Sequence, residues 1–128
     1  MDSDYLKMVF EKKKDDLYII HVNGRLDETT FDGFKNDISE AREIQANIIV
    51  NLSELKYISS LGIRSFFDLK NDQAKKKMKL VLVGADDNII QIFSLLGLWK
   101  TFEHFDLMDD AVSFIQKNYQ WFSFIFSM

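Results

Sequence analysis

Two adjacent serines, Ser59 and Ser60, stand where a loop runs into a helix, and their hydroxyls are the best-placed reactive groups of the chain. The segment from Asn47 to Phe67, NIIVNLSELKYISSLGIRSFF, reads as a buried strand, a loop, and a helix that opens at the serine pair. The first turn of a helix leaves backbone N–H groups unpaired and carries the positive end of the macrodipole. A phosphate placed there gains hydrogen bonds and electrostatic stabilisation. Local physics supports two readings of the pair: a phosphoacceptor, or a plain N-cap in which one hydroxyl accepts from the first turn. A hydrolase using Ser60 as nucleophile would need a nearby histidine as base and an acid to orient it. His21 and His104 lie far apart in the chain and in no ligand-spaced cluster, so packing roles are expected for both and no metal site is expected.

The remaining constellations point away from catalysis. Asp15-Asp16, Asp86-Asp87 and Asp109-Asp110 are paired carboxylates, but the last two pairs fall where helices begin and negative charge is favourable. Gly62, Gly84 and Gly97 are isolated, and neither G-x-G-x-x-G nor a P-loop pattern occurs, which leaves a nucleotide-binding enzyme without support. Lys75-Lys76-Lys77 with Lys79 sits at a helix end, where positive charge complements the dipole. There is no cysteine, so disulfides, thiolate metal sites and cysteine nucleophiles are all excluded. The net charge of -4 is spread without a basic stripe, which argues against nucleic acid.

The elements that must position the serines follow from periodicity. At 128 residues, 47% hydrophobic and 28% charged, the chain can bury one core behind a soluble surface. Leu6 to Phe10 and Leu17 to Val22 are β-prone runs separated by the polar stretch Glu11 to Asp16, the pattern of an antiparallel hairpin. From Thr29 to Ile44, Phe31, Phe34, Ile38 and Ala41 recur at helical spacing, with a cap expected between Asp27 and Thr30. Asn47 to Leu52 and Lys79 to Ala85 read as strands covered on both faces. The second helix, Leu61 to Lys77, offers Ile63, Phe66, Phe67, Leu69 and Ala74 to the core. A third helix is expected from Asp86-Asp87 through Trp99, a short strand from Phe102 to Asp106, and a last helix from Asp109 to Tyr119 with Ala111, Val112 and Ile115 inward. The order β-β-α-β-α-β-α-β-α builds a mostly parallel or mixed sheet with helices packed on it.

Four pieces of the sequence, in order, resemble the STAS domain of anti-sigma factor antagonists. Gly24-Arg25-Leu26-Asp27 is similar to that family's G-x-L-D after the second strand. Asn51-Leu52-Ser53 and Tyr57-Ile58-Ser59-Ser60-Leu61-Gly62-Ile63-Arg64 resemble its signature, in which a D/S-S-x-G-L element opens the second helix. Leu80 to Gly84 and Ile92 to Leu98 resemble its fourth strand and third helix, so the likeness runs from about Tyr5 to Tyr119. It departs at Ser59, where the family commonly has aspartate, and at Leu61, where it has a small residue.

The resemblance implies an α/β, STAS-like fold, a four- to five-stranded mixed sheet with about four helices, all on one side. It divides the chain into a domain at 1–119 and an aromatic tail at 120–128. It also implies a non-enzymatic, cytoplasmic antagonist without a cofactor. A partner anti-sigma serine kinase would phosphorylate Ser60 (Ser59 being the alternative), and the unphosphorylated form would capture that kinase and free a sigma factor. A phosphatase is a further implied partner. Asp27, Ser59, Leu61, Gly62 and Arg64 would contribute to docking, and a larger side chain at Gly62 is expected to keep the fold while weakening that docking. The alternative is a constitutive STAS interaction or scaffold subunit, such as a lipid-transport accessory, with Ser60 only a cap. The start MDSDYLKMVF lacks the form of a secretory signal, and no run approaches the roughly 18 apolar residues of a membrane span. The tail, YQWFSFIFSM from Tyr119 onward, is expected to extend the last helix and to bury Trp121 and Phe124 or Phe122 against the domain or a second copy.

Overall fold

The computed structural model describes residues 5–127, and the side-chain surroundings of residues 5–117. β1 (Leu6–Lys14) and β2 (Leu17–Leu26) form the expected hairpin, paired antiparallel from Leu6 opposite Gly24 to Lys14 opposite Leu17. The strand β1 runs through most of the polar stretch that the sequence suggests as a connection. At a sheet edge the backbone ladder with β2 holds the strand, and Glu11 to Lys14 face solvent.

The next elements are α1 (Phe31–Arg42), β3 (Asn47–Asn51), β4 (Leu55–Ile58), α2 (Ser60–Lys75), β5 (Leu80–Val83), α3 (Asp87–Leu95), β6 (Glu103–Phe105) and α4 (Met108–Ser127). The six strands make one mixed sheet in the order β1-β2-β3-β5-β6, with β4 paired to β2 beyond the end of β3. Beyond the expected five strands, the four residues of β4 supply the sixth. The carboxyl end of β2, Gly24 to Leu26, needs a partner once β3 ends, and β4 supplies it in parallel register.

Side chains alternate across β3 and β5. Ile48, Val50, Leu80 and Leu82 enter a core with Phe34, Ile38, Phe66, Leu69, Ile89 and Phe93 from α1 to α3. Ile49, Val81 and Val83 enter a second cluster with Ala111 and Ile115 of α4. Helices therefore cover both faces, rather than one as the family resemblance implies, and this accounts for the nearly uninterrupted apolar runs of the central strands. α3 also ends before its expected limit: Gly97 takes a left-handed conformation (φ 67°), and Leu98–Lys100 form a separate 3-10 turn. The helix α4 continues through the tail to Ser127, whereas the expected burial of Trp121, Phe122 and Phe124 lies outside the described side chains.

The buried stripe of α2 is Gly62, Ile63, Phe66, Leu69 and Gln73; Ala74, expected inside, is exposed because it falls one position out of phase. Gln73 is 1% exposed, and its Nε2 donates to the carbonyls of Ala46 (2.8 Å) and Lys79 (2.9 Å) on either side of the sheet's lower end. Replacing it with alanine takes the side-chain donor from the Ala46 carbonyl, whereas Lys79 O keeps the backbone N–H of Ile48 at 2.9 Å. Gln73→Ala is expected to lower the unfolding free energy by about 1 to 3 kcal/mol in urea titration; a loss under about 0.5 kcal/mol would show that water takes over.

Candidate functional site

The site is the junction where β2 and β4 end together and α2 begins. The backbone N–H of Ser59 donates to Leu26 O at 2.8 Å, which fixes the start of α2 beside the end of β2. Ser59 is the N-cap: its backbone is extended (φ -86°, ψ 170°), its Oγ accepts from Gly62 N at 3.4 Å, and its carbonyl accepts from Ile63 N at 3.0 Å. Ser60 is the first helical residue. It is exposed, and among the described residues its hydroxyl makes no hydrogen bond within the chain. No acidic residue occupies the first turn of α2, so nothing there offsets the positive end of the helix dipole.

The Gly24 to Asp27 element meets this junction from the other side. Gly24 has φ 112°, and a Cβ there would lie 2.0 Å from Tyr5 O, so only glycine fits. Arg25 places its guanidinium 4.8 Å from the centre of the Tyr57 ring and donates from Nε to Asp27 Oδ2 at 3.4 Å. Asp27 Oδ1 accepts from the Thr29 hydroxyl (2.7 Å) and from Thr29 N (3.0 Å). The hydroxyl bond is the main reason its carboxyl lies below the usual aspartate value; desolvation opposes it, and the Thr29 amide and Arg25 add to the lowering. The expected cap of α1 takes an unusual form. The side chain of Thr30 accepts from Asp27 N at 3.1 Å and donates to Arg25 O at 2.7 Å, so it closes the turn before the helix and makes no hydrogen bond to its first turn.

Of the residues expected to form a docking surface, the structure leaves Ser60, Arg64 and about half of Leu61 (48%) open to solvent, with Ser59 and Asp27 partly covered. Gly62 is a correction. It is buried, and a Cβ would meet Leu26 Cδ2 at 2.4 Å, Leu26 Cγ at 2.6 Å and Ile58 Cγ1 at 3.0 Å, so its lack of a side chain serves packing between α2 and the ends of β2 and β4. Arg25, Thr30 and Tyr57 are site residues that periodicity does not single out. The signal for Arg25 is the G-R-L-D element, whose polar residues have no place in an apolar strand pattern; Thr30 ends the stretch in which a cap is expected, and Tyr57 opens the stretch that runs into the serine pair.

Both histidines are engaged elsewhere. His21 Nδ1 accepts from the Asn51 amide at 3.0 Å and Nε2 donates to Glu11 at 2.9 Å, tautomers assigned from the partners. His104 Nε2 accepts from Ala85 N at 3.2 Å, and its ring lies 5.0 Å from that of Trp99. Neither imidazole reaches Ser60, so no hydroxyl–imidazole pair forms among the described residues.

Residues 9–111 match the family model of the STAS domain. No curated protein sequence matches the chain. Among solved structures, an anti-sigma factor antagonist from Mycobacterium paratuberculosis superposes with a TM-score of 0.78 at 20% identity, covering 88% of this chain and 96% of the other. The anti-sigma factor antagonist SpoIIAA in its unphosphorylated form gives 0.74 at 14% identity, covering 87% and 97%. The phosphorylated form of the Bacillus cell fate determinant SpoIIAA gives 0.63 at 18% identity, covering 84% and 97%. At these identities the structural likeness establishes the fold. Among the described residues no helix is long and apolar enough to cross a membrane.

Two outcomes follow from this geometry. Leu26 is fully buried and cannot swing aside, so Gly62→Ala should cost about 1 to 3 kcal/mol of stability and Gly62→Leu should fail to fold; a normal melting temperature for Gly62→Leu would return the residue to the surface. The second concerns pH. Burial pushes the His104 imidazole below its usual value, against a smaller opposing effect of Asp106. The unfolded imidazole takes up a proton near pH 6.5, before the folded one does. Its contribution is therefore complete above about pH 6.5 and is lost as pH falls toward the lower folded value. His104→Asn should be less stable than the parent at pH 7.5 and should lose less stability between pH 7.5 and 5; parallel losses would contradict this.

Proposed function

The chain belongs to the STAS-domain family, and from that premise we propose that it is an anti-sigma factor antagonist, a non-catalytic cytoplasmic module whose hold on an anti-sigma serine kinase is set by phosphorylation of Ser60. The observation that carries this reading is the division of labour between the two serines. The Ser59 hydroxyl is spent as the cap of α2, whereas the Ser60 hydroxyl is exposed, uncommitted, and at the first helical position. That the solved relatives include SpoIIAA in unphosphorylated and phosphorylated forms supports the same reading.

Phosphorylation at this position acts locally. It brings about -1.5 to -2 charges to a helix start whose dipole and open N–H groups favour them, so the fold is kept. A partner that covers Ser60 must then desolvate the phosphate or meet its charge. A differential cost of about 3 kcal/mol reduces affinity more than a hundredfold.

Incubation with ATP and a purified anti-sigma serine kinase, read by intact mass, tests the assignment. One phosphate is expected on the parent chain, one on Ser59→Ala and none on Ser60→Ala. In the same variants Ser59→Ala should lose about 1 kcal/mol of stability with its cap, and Ser60→Ala should stay within about 0.5 kcal/mol. Labelling lost in Ser59→Ala and kept in Ser60→Ala would move the acceptor by one residue. Labelling indifferent to both changes would replace the switch with a constitutive interaction module.

A further inference from the structure

Beside Ser60 a groove of about 310 Å3 runs between α1 and α2. Phe31, Ile38 and the half-exposed Leu61 give it apolar walls, and Lys35, Arg64 and Asp68 stand along it. Ser39 and Ser65 turn their hydroxyls onto the carbonyls of Lys35 and Leu61 in their own helices (both 3.1 Å), so they offer little to a visitor. Arg42, also along the groove, is held by Asp72. Asp68 lies close enough to raise the affinity of Arg42 for its proton. Lys35 and Arg64 are exposed cations that make no ion pair among the described residues. With Arg42 balanced by Asp72, the cations Lys35 and Arg64 outnumber the one remaining carboxylate, Asp68, so the groove is net positive beside its apolar walls and complementary to a segment that combines apolar side chains with carboxylates.

Arg64 also stands one helical turn after Ser60 on the exposed side of α2. Residues four apart on a helix have Cβ atoms about 5 to 6 Å apart. Long helical side chains lean toward the N-terminus, so Arg64 leans over the turn that carries Ser60. An anion four residues before a cation is the more favourable order of such a pair. A guanidinium also matches a phosphate with two parallel hydrogen bonds, which a lysine cannot do.

We propose that Arg64 is the counter-ion the switch turns on: it binds a carboxylate of an acidic, apolar partner segment seated in the α1–α2 groove while Ser60 is free, and it is captured by the phosphate once Ser60 is modified. Phosphorylation then acts twice on one surface, adding negative charge at the rim and withdrawing the cation that the partner's carboxylate used. This inference rests on the assignment of Ser60 as the acceptor.

The phosphate half is tested without a kinase, on chain carrying phosphoserine installed at position 60 during translation. A phosphorus NMR titration should find the second phosphate pKa higher in Arg64→Gln than in the parent by about 0.3 units, with Arg64→Lys between them. Equal values in parent and Arg64→Gln would overturn the pairing. For the groove, the unphosphorylated chain is titrated with the anti-sigma serine kinase that labels Ser60. Arg64→Gln and Lys35→Gln should each weaken binding by about three- to tenfold at unchanged melting temperature, and unchanged affinity in both would overturn the groove assignment. A kinase that never labels Ser60 would sink the proposed function and the switch built on it, whereas equal phosphate pKa values with Ser60 labelled would sink the Arg64 pairing and leave the proposed function standing.

Discussion

β2 is paired along one edge by two successive strands, and the site depends on that arrangement. β3 takes Leu17 to His21 and β4 takes Gly24 to Leu26, so the loop between them must cross without breaking the line of the sheet. Asn51 spans the change, accepting Ser53 N on its amide oxygen while its amide nitrogen donates to His21. The ladder then passes directly into the bond between Leu26 O and Ser59 N, which makes the start of α2 an extension of the sheet. Ser60 is consequently held on rigid backbone, and a charge added there is felt at a fixed place.

The same junction explains why Leu26, Ile58 and Gly62 behave as one packing unit. Leu26 and Ile58 are neighbours across β2 and β4, and α2 can descend onto them only because residue 62 has no side chain. The other end of α2 is tied down by polar bonds. Gln73 joins the loops before β3 and β5, Asp72 binds Arg42, and Lys76 Nζ donates to the carbonyls of Arg42 (2.6 Å) and Ile44 (2.9 Å), closing the end of α1. Lys76 belongs to a basic run that in sequence looks like a solvated helix end. In the fold its ammonium is the C-terminal cap of a different helix.

Charge is distributed unevenly over this framework. Asp27, held ionised by Thr29 and Arg25, fixes a negative charge where β2 ends, while the first turn of α2 carries none. The groove between α1 and α2 keeps Lys35 and Arg64, which make no ion pair among the described residues, next to apolar side chains. Fixed negative charge, the start of a helix and exposed cations thus lie along one edge of the molecule.

The amino-acid order by itself determined the elements with strong periodicity and the positions with strong chemistry. Phe34, Ile38 and Ala41 mark the inner face of α1, Ile48 to Val50 and Leu80 to Val83 mark strands buried on both sides, and the two serines mark the start of α2. These are signals within a few residues of chain, and local physics reads them. Tertiary structure decided what depends on neighbours distant in sequence. The strand β4 exists because β2 outruns β3; Gly62 is internal because Leu26 lies beneath it; Gln73 is buried in place of Ala74 because it falls in phase with Phe66 and Leu69 and its amide reaches the carbonyls of Ala46 and Lys79; α4 lies on the opposite face because Ile49, Val81 and Val83 leave that face apolar. Which of the two serines caps the helix was likewise settled only by backbone geometry. The extended conformation of Ser59 turns its hydroxyl onto the Gly62 amide and leaves that of Ser60 to solvent.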